Sequence, residues 1–220
     1  MLKLADFSAV IFDMDGLVLD TESTYRVAWR QAASVMGYDF SEDYCLSLSG
    51  LHYKDIELKL HEYCGTEFNL QLFNRLSGEF WRGHVNVHGI KVKHGFNRLL
   101  DLLLRQNIPY CLATNSSMVN ALECLDLAGL KGVFSTIVTR DHVRRGKPQP
   151  DIFLKAAELL RVDVSRCLVL EDSAAGIVAA SRAGAASVLI PSTAQADPLT
   201  VELCALMADD LAQLADTISA

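Results

Sequence analysis

Five short apolar runs, separated by stretches with helical periodicity, constrain the fold of this chain more than any other feature. Each run predicts a strand that is buried on both faces, as strands of parallel sheets are. The runs lie at 7–12, 108–113, 134–139, 167–170 and 186–190. Apolar residues at helical spacing lie between them, for example at 96–104 and after Pro150. Strands that alternate with helices predict a doubly wound α/β fold with a mostly parallel sheet.

Residues 21–88 interrupt this alternation. They contain no convincing strand pattern, whereas apolar residues recur at helical spacing in three places. The first helical pattern ends at Gly37, the second ends near Gly65, and a third follows. We therefore predict a helical domain at 21–88, inserted after the first strand of an α/β core that is formed by 1–20 and 89–220.

The charge balance of the chain disfavours some classes of partner. The 220 residues carry a formal net charge of −7, so we expect neither nucleic acid nor an anionic membrane surface as a partner. A small anionic substrate is still compatible with this charge, because local cations or a bound metal can dominate one pocket.

Two further patterns concern the compartment. No run approaches the ~18 apolar residues of a membrane span, and the first residues lack the pattern of a signal peptide. The six cysteines form no CxxC pair, and we expect them to be reduced thiols that are mostly buried. These patterns favour a cytoplasmic protein.

Polar side chains follow four of the predicted strands. Because ligands of open α/β sheets bind beyond the carboxyl ends of the strands, we expect these side chains to form one site. The candidates are Asp13 and Asp15 after the first strand, Thr114, Asn115 and Ser116 after the second, Lys147 in the loop after the third, and Glu171 and Asp172 after the fourth.

This set of side chains suits phosphoryl transfer. Clustered carboxylates form a hard, oxygen-rich site for Mg²⁺, and the metal offsets the repulsion between an attacking carboxylate and a phosphate. A lysine supplies a second positive charge, and hydroxyl and amide groups can hold the phosphoryl oxygens. One aspartate can attack phosphorus, while a second protonates the leaving oxygen and then activates water. We predict Mg²⁺ as the cofactor and a small phosphomonoester as the substrate.

Four motifs, in this order, resemble those of the haloacid dehalogenase superfamily. They are DMDG at 13–16, TNS at 114–116, KP at 147–148 and EDS at 171–173. The similarity extends over essentially the whole chain and is to the branch of the superfamily that has a helical cap after the first strand. The resemblance implies a Rossmann-like α/β core with an inserted α-helical cap domain.

The resemblance also implies a role for each candidate residue. Asp13 would be the nucleophile, and Asp15 would be the general acid/base. Lys147 would neutralise Asp13 and hold the phosphoryl group. The other implied phosphate-binding residues are Thr114, Asn115 (through its backbone amide) and Ser116. The implied metal ligands are Asp13, Asp15 (through its backbone carbonyl), Asp172 and Glu171, the last either directly or through a neighbouring ligand.

Several positions bear on the choice between activities within the family. Family dehalogenases need no second aspartate because a halide leaves without protonation, so Asp15 favours a phosphoester substrate. A β-phosphoglucomutase-like enzyme must hold a second phosphate, and Ser49 and Tyr53 occupy the places of the lysine and arginine that such enzymes use. His52 or Lys54 could still bind that phosphate, so a mutase stays open as the alternative.

The predicted function is therefore a Mg²⁺-dependent phosphatase that hydrolyses a small phosphorylated metabolite, a sugar phosphate, through an aspartyl-phosphate intermediate. The alternatives are a phosphosugar mutase and, more weakly, a metabolite-binding module that has lost its chemistry.

Overall fold

A computed structural model of the chain describes residues 2–49, 53–192 and 197–219, without the side chains of Tyr53 and Lys54. His52 thus lies outside the described residues. The chain divides into two compact units, Met1–Leu19 with Lys91–Ala220 and Asp20–Ile90, which we name the α/β unit and the helical unit. No helix in the described part of the chain combines the length and the apolar character that a membrane span requires.

The described residues of the helical unit form four helices. They are α1 Thr21–Val35, α2 Glu42–Leu48, α3 Tyr53–Cys64 and α4 Leu70–His88. Helix α1 packs along α4, and the buried cluster of this unit includes the rings of Phe40 and Phe73. The sequence does not predict α2, because its two buried residues, Cys45 and Leu48, are too few to define a helical period.

The described residues of the α/β unit contain one sheet of six strands. The strands are β1 Ala9–Phe12, β2 Tyr110–Ala113, β3 Ile137–Val138, β4 Cys167–Glu171, β5 Ala186–Leu189 and β6 Leu206–Met207, in the spatial order β3-β2-β1-β4-β5-β6. All neighbouring strands are parallel, and Ile11 of the central strand β1 lies between Cys111 and Val169. The predicted doubly wound parallel sheet is confirmed.

In the described residues of the α/β unit, six α-helices follow the helical unit along the chain. They are α5 Phe96–Arg105, α6 Met118–Leu127, α7 Asp151–Leu160, α8 Ala174–Ala183, α9 Pro198–Leu203 and α10 Leu211–Ile218. Ile11 belongs to the same buried cluster as Phe153 of α7. Its neighbour Phe12 packs edge-to-face on Phe96 of α5, with ring centroids 5.8 Å apart. Since successive strand residues point to opposite faces, helices cover both faces of the sheet.

Candidate active site

The ammonium group of Lys147 lies where three neighbouring strands end. Its Nζ donates to a carboxylate oxygen of Asp13, to Oε1 of Glu171 at 2.6 Å and to the backbone oxygen of Ala113 at 2.9 Å. Asp13 directly follows β1, Ala113 ends β2 and Glu171 ends β4. The three N–H donors of the ammonium therefore have three acceptors, and the whole group is buried.

Burial and charge together set the ionisation of this group. Burial by itself lowers the pKa of the Lys147 ammonium, but the Asp13 and Glu171 carboxylates raise that pKa above its ordinary value. Burial raises the pKa of the Asp13 carboxyl well above its ordinary value; Lys147 acts to lower it, whereas Glu171 and Asp15 add to the rise. Burial is the largest cause of this rise in the pKa of Asp13, and a further cation beside the carboxylate would favour its ionised form.

The backbone of Lys147 and of Pro148, the residue after it, is held by two side chains from elsewhere in the chain. Asn115, which follows β2, accepts a hydrogen bond from the Lys147 backbone N at 2.9 Å and donates one to its backbone O at 3.2 Å. Arg182 of α8 donates to the backbone oxygen of Pro148 at 2.9 Å. The structure thus places the Asn115 side chain on the lysine loop, and a contact of its backbone amide with phosphate stays a prediction.

The two carboxylate oxygens of Glu171 have different partners. Oε1 accepts from Lys147, as described above. Oε2 accepts from the backbone N of Asp172 and of Ser173, both at 3.1 Å, and from the Ser173 hydroxyl at 2.9 Å. Because three donors occupy Oε2, only Oε1 keeps a lone pair that could reach a metal. The sequence does not predict that the two oxygens have different partners.

Gly176 makes room for the Glu171 carboxylate, and this gives a testable prediction. A Cβ at Gly176 would lie 1.8 to 2.2 Å from the carboxyl atoms of Glu171. We expect Gly176→Ala to displace that carboxylate, to lower turnover of the phosphomonoester predicted from the sequence by about 10- to 100-fold and to reduce the free energy of unfolding by about 1–3 kcal/mol. Urea unfolding and initial rates of phosphate release measure the two effects.

Gly83 of α4 provides the matched control for this substitution. A Cβ there would meet nothing within 4 Å, so Gly83→Ala should keep full activity and gain about 0.5–1 kcal/mol from helix propensity. Equal behaviour of the two variants would show that the space beside Glu171 is unimportant.

The second aspartate, Asp15, receives hydrogen bonds from the residues that follow β2. Its Oδ2 accepts from the hydroxyl of Ser116 at 2.9 Å and from that of Thr114 at 3.3 Å. The Thr114 hydroxyl also accepts from the backbone N of Ser116 at 3.0 Å. The structure thus brings the predicted residues of the first two motifs together, but through contacts with each other that the sequence does not indicate.

Three of the predicted metal ligands form one group. One ligand atom from each of Asp13, Glu171 and Asp172 lies within 4.8 Å of the other two. Gly16 permits the approach of Asp172, because it has a φ of 85° and a Cβ there would lie 2.0 Å from Oδ2 of Asp172. Such a set of hard oxygen donors, together with the excess negative charge around Asp13, fits Mg²⁺.

Comparisons with known proteins show the same family throughout. Residues 10–190 match the family described as haloacid dehalogenase-like hydrolase. The chain is 34% identical over 176 residues to the phosphorylated carbohydrates phosphatase of Thermotoga maritima, which covers 80% of this chain and 81% of that protein. It is 31% identical over 182 residues to the beta-phosphoglucomutase of Bacillus subtilis, with 80% of each chain covered.

A solved structure supports the fold assignment. The crystal structure of a haloacid dehalogenase-like protein from Agrobacterium tumefaciens has a TM-score of 0.81 at 25% identity, covering 97% of this chain and 98% of that chain. The resemblance, the fold class and the enzyme class predicted from the sequence are confirmed. The chain belongs to the haloacid dehalogenase-like hydrolase family.

Proposed function

We propose that this hydrolase is a Mg²⁺-dependent phosphatase that acts on a small phosphorylated metabolite, a sugar phosphate, through an aspartyl-phosphate. The observation that carries the proposal is the buried contact between the Lys147 ammonium and Asp13. The contact neutralises part of the charge on a carboxylate that would otherwise repel a phosphate dianion. The phosphorylated carbohydrates phosphatase of Thermotoga maritima, 34% identical, supports the substrate class.

The proposed reaction has two steps, and Asp13 is the nucleophile of the first. Its carboxylate forms a bond to phosphorus while the bond between phosphorus and the ester oxygen breaks. Asp15 gives its proton to the departing alkoxide, which leaves as an alcohol. In the second step, Asp15 takes a proton from water, the water oxygen bonds to phosphorus, and the bond to Asp13 breaks to release inorganic phosphate.

The remaining residues hold the reactants in place. Asp13, Asp172 and Oε1 of Glu171, with the backbone carbonyl of Asp15, would bind Mg²⁺. When bound, Mg²⁺ would supply positive charge that offsets the repulsion between the carboxylate nucleophile and the phosphate. Thr114 and the backbone amide of Asn115 are proposed to hold the phosphoryl oxygens. Lys147, whose three N–H donors are already taken, is proposed to attract the phosphate through its positive charge. The Ser116 hydroxyl, which the resemblance implies as a further phosphate ligand, donates to Asp15 instead. Residues 21–88 are proposed to be the cap domain that carries the residues selecting the substrate.

The alternative function is a phosphosugar mutase, favoured by the 31% identity to the beta-phosphoglucomutase of Bacillus subtilis. A mutase must bind a second phosphate. Ser49 occupies the place of the lysine that such enzymes use. Its hydroxyl oxygen is buried, and its side chain has no charge with which to bind a phosphate. His52 and the side chains of Tyr53 and Lys54 lie outside the description, so an activity assay decides between the two functions.

Phosphate release from a panel of phosphomonoesters tests the proposal. The panel contains hexose 6-phosphates, β-glucose 1-phosphate, nucleotides and phosphoglycolate. We expect release with Mg²⁺, a fall of about 100-fold or more after thorough chelation, and recovery when Mg²⁺ is restored. Full activity after chelation would contradict the metal requirement. Formation of glucose 6-phosphate from β-glucose 1-phosphate and a bisphosphate primer, without net phosphate release, would establish the mutase instead.

A further inference from the structure

The hydroxyl of Ser116 is held in a fixed position next to Asp15. The backbone N of Ser116 donates to the Thr114 hydroxyl at 3.0 Å, and its backbone O accepts from the backbone N of Arg140 at 3.1 Å. The next residue, Ser117, accepts from the backbone N of Asn120 as the N-cap of α6. Because the chain is held on both sides of Ser116, its 2.9 Å hydrogen bond to Asp15 orients the carboxylate at little further entropic cost.

The donors to the two aspartates are chemically different. Asp13 binds the ammonium of Lys147, which can only donate. Oδ2 of Asp15 binds hydroxyl groups, with Ser116 at the shorter distance. A hydroxyl can either donate or accept, so it can stay bonded to Asp15 whether or not that carboxyl carries a proton. This property suits a group that passes a proton on and takes one back.

We propose that Ser116 is a positioning residue that orients the Asp15 carboxyl for proton transfer, rather than a ligand of the transferred phosphate. The inference rests on the proposed function, since it assigns Asp15 the role of general acid and base. It predicts that the loss of the Ser116 hydroxyl impairs only those steps in which a proton moves.

The choice of leaving group separates the two roles of Ser116. 4-Nitrophenolate leaves without a proton, so the first step with 4-nitrophenyl phosphate does not need Asp15, whereas water attack in the second step does. For Ser116→Ala, we expect a burst of 4-nitrophenol at a rate within about threefold of wild type, followed by a steady state slowed about 10- to 100-fold. With the best sugar phosphate of the panel, kcat should fall by a similar factor while KM changes less than about threefold.

Two variants serve as controls. Ser116→Thr keeps a hydroxyl and should restore most of the sugar-phosphate activity. Ser117→Ala removes the adjacent hydroxyl, which caps α6, and should cost about 1 kcal/mol of stability with unchanged kinetics in both assays.

Three results would overturn the inference. A slower burst with a raised KM for both substrates would make Ser116 a phosphate ligand. Unchanged kinetics of Ser116→Ala in both assays would remove any role in the reaction. A wild-type protein without Mg²⁺-dependent turnover would remove the proposed function itself, and this inference with it, so that failure is recognised before any variant is compared.

Discussion

Asp13→Asn is expected to lower phosphomonoester turnover by roughly a thousand-fold or more, while the protein stays folded. An amide has almost the shape of a carboxylate but is a far weaker nucleophile, so the aspartyl-phosphate cannot form. Lys147 keeps its hydrogen bonds to Glu171 at 2.6 Å and to Ala113 at 2.9 Å in this variant. Initial rates of phosphate release with the best substrate of the panel measure the effect.

The same variant should be at least as stable as the wild type when metal is absent. The pKa of Asp13 in the folded protein lies above its ordinary value, so ionising this carboxyl reduces folding stability as the pH rises from its unfolded-state pKa toward its folded-state pKa. The neutral amide avoids that loss. Thermal unfolding at neutral pH with a chelator should therefore give an equal or higher midpoint.

Asp6→Asn is the matched control, because Asp6 is an exposed aspartate of the same unit, and the substitution should leave both rate and stability unchanged. Near-normal turnover of Asp13→Asn would refute the nucleophile assignment. A clear drop in its unfolding midpoint would show that the ionised carboxylate stabilises the fold.

Lys147→Met should abolish activity and also reduce the free energy of unfolding by about 3–5 kcal/mol. Methionine has a similar length but no charge, so the buried carboxylates of Asp13 and Glu171 lose the cation that they share. An uncompensated buried charge is far more costly than the loss of a surface ion pair. Urea unfolding at neutral pH measures the change.

Lys155→Met is the control for this effect. Lys155 of α7 forms a 2.9 Å ion pair with Glu158, whose carboxylate is exposed. The substitution should therefore reduce the free energy of unfolding by less than about 1 kcal/mol. Adding Asp13→Asn to Lys147→Met removes one of the two stranded charges and should recover part of the lost stability. Additive effects of the two substitutions would contradict this electrostatic explanation.

The central strands of the sheet can be predicted from the sequence, because a short, continuous apolar run is typical of a strand that is buried on both faces. β1 and β2 lie inside the predicted runs 7–12 and 108–113. The edge strand β3 also lies inside a predicted run, 134–139, but the edge strand β6 has no such signal. β6 is two residues long, with Met207 exposed, and its apolar run continues from α9, so helix and strand cannot be told apart there.

The sequence also predicts which polar side chains collect at one edge, since parallel strands place their carboxyl ends together. It does not predict which hydrogen-bond partner each of these side chains has. The Asn115 side chain binds the backbone of Lys147, and Oε2 of Glu171 is occupied by local donors; both choices depend on loop conformation. The role of Gly176 could have been suspected from the sequence, because a glycine is unusual in the first turn of the helix that follows the fourth motif. The catalytic roles themselves stay predictions until the variants are measured.

The attachment of one ammonium to the ends of β1, β2 and β4 has a consequence for how this protein can evolve. A chain with a substitution at Lys147 would be unstable and would be lost to aggregation and proteolysis. Such variants would therefore be eliminated whatever their effect on catalysis. The isosteric substitution Asp13→Asn is expected to carry no such penalty, because Lys147 stays paired with Glu171. Descendants that abandon hydrolysis but keep the fold, as ligand sensors for example, should therefore retain the lysine and lose the Asp13 carboxylate. Mutant libraries that seek such binders should hold Lys147 constant and start from Asp13→Asn.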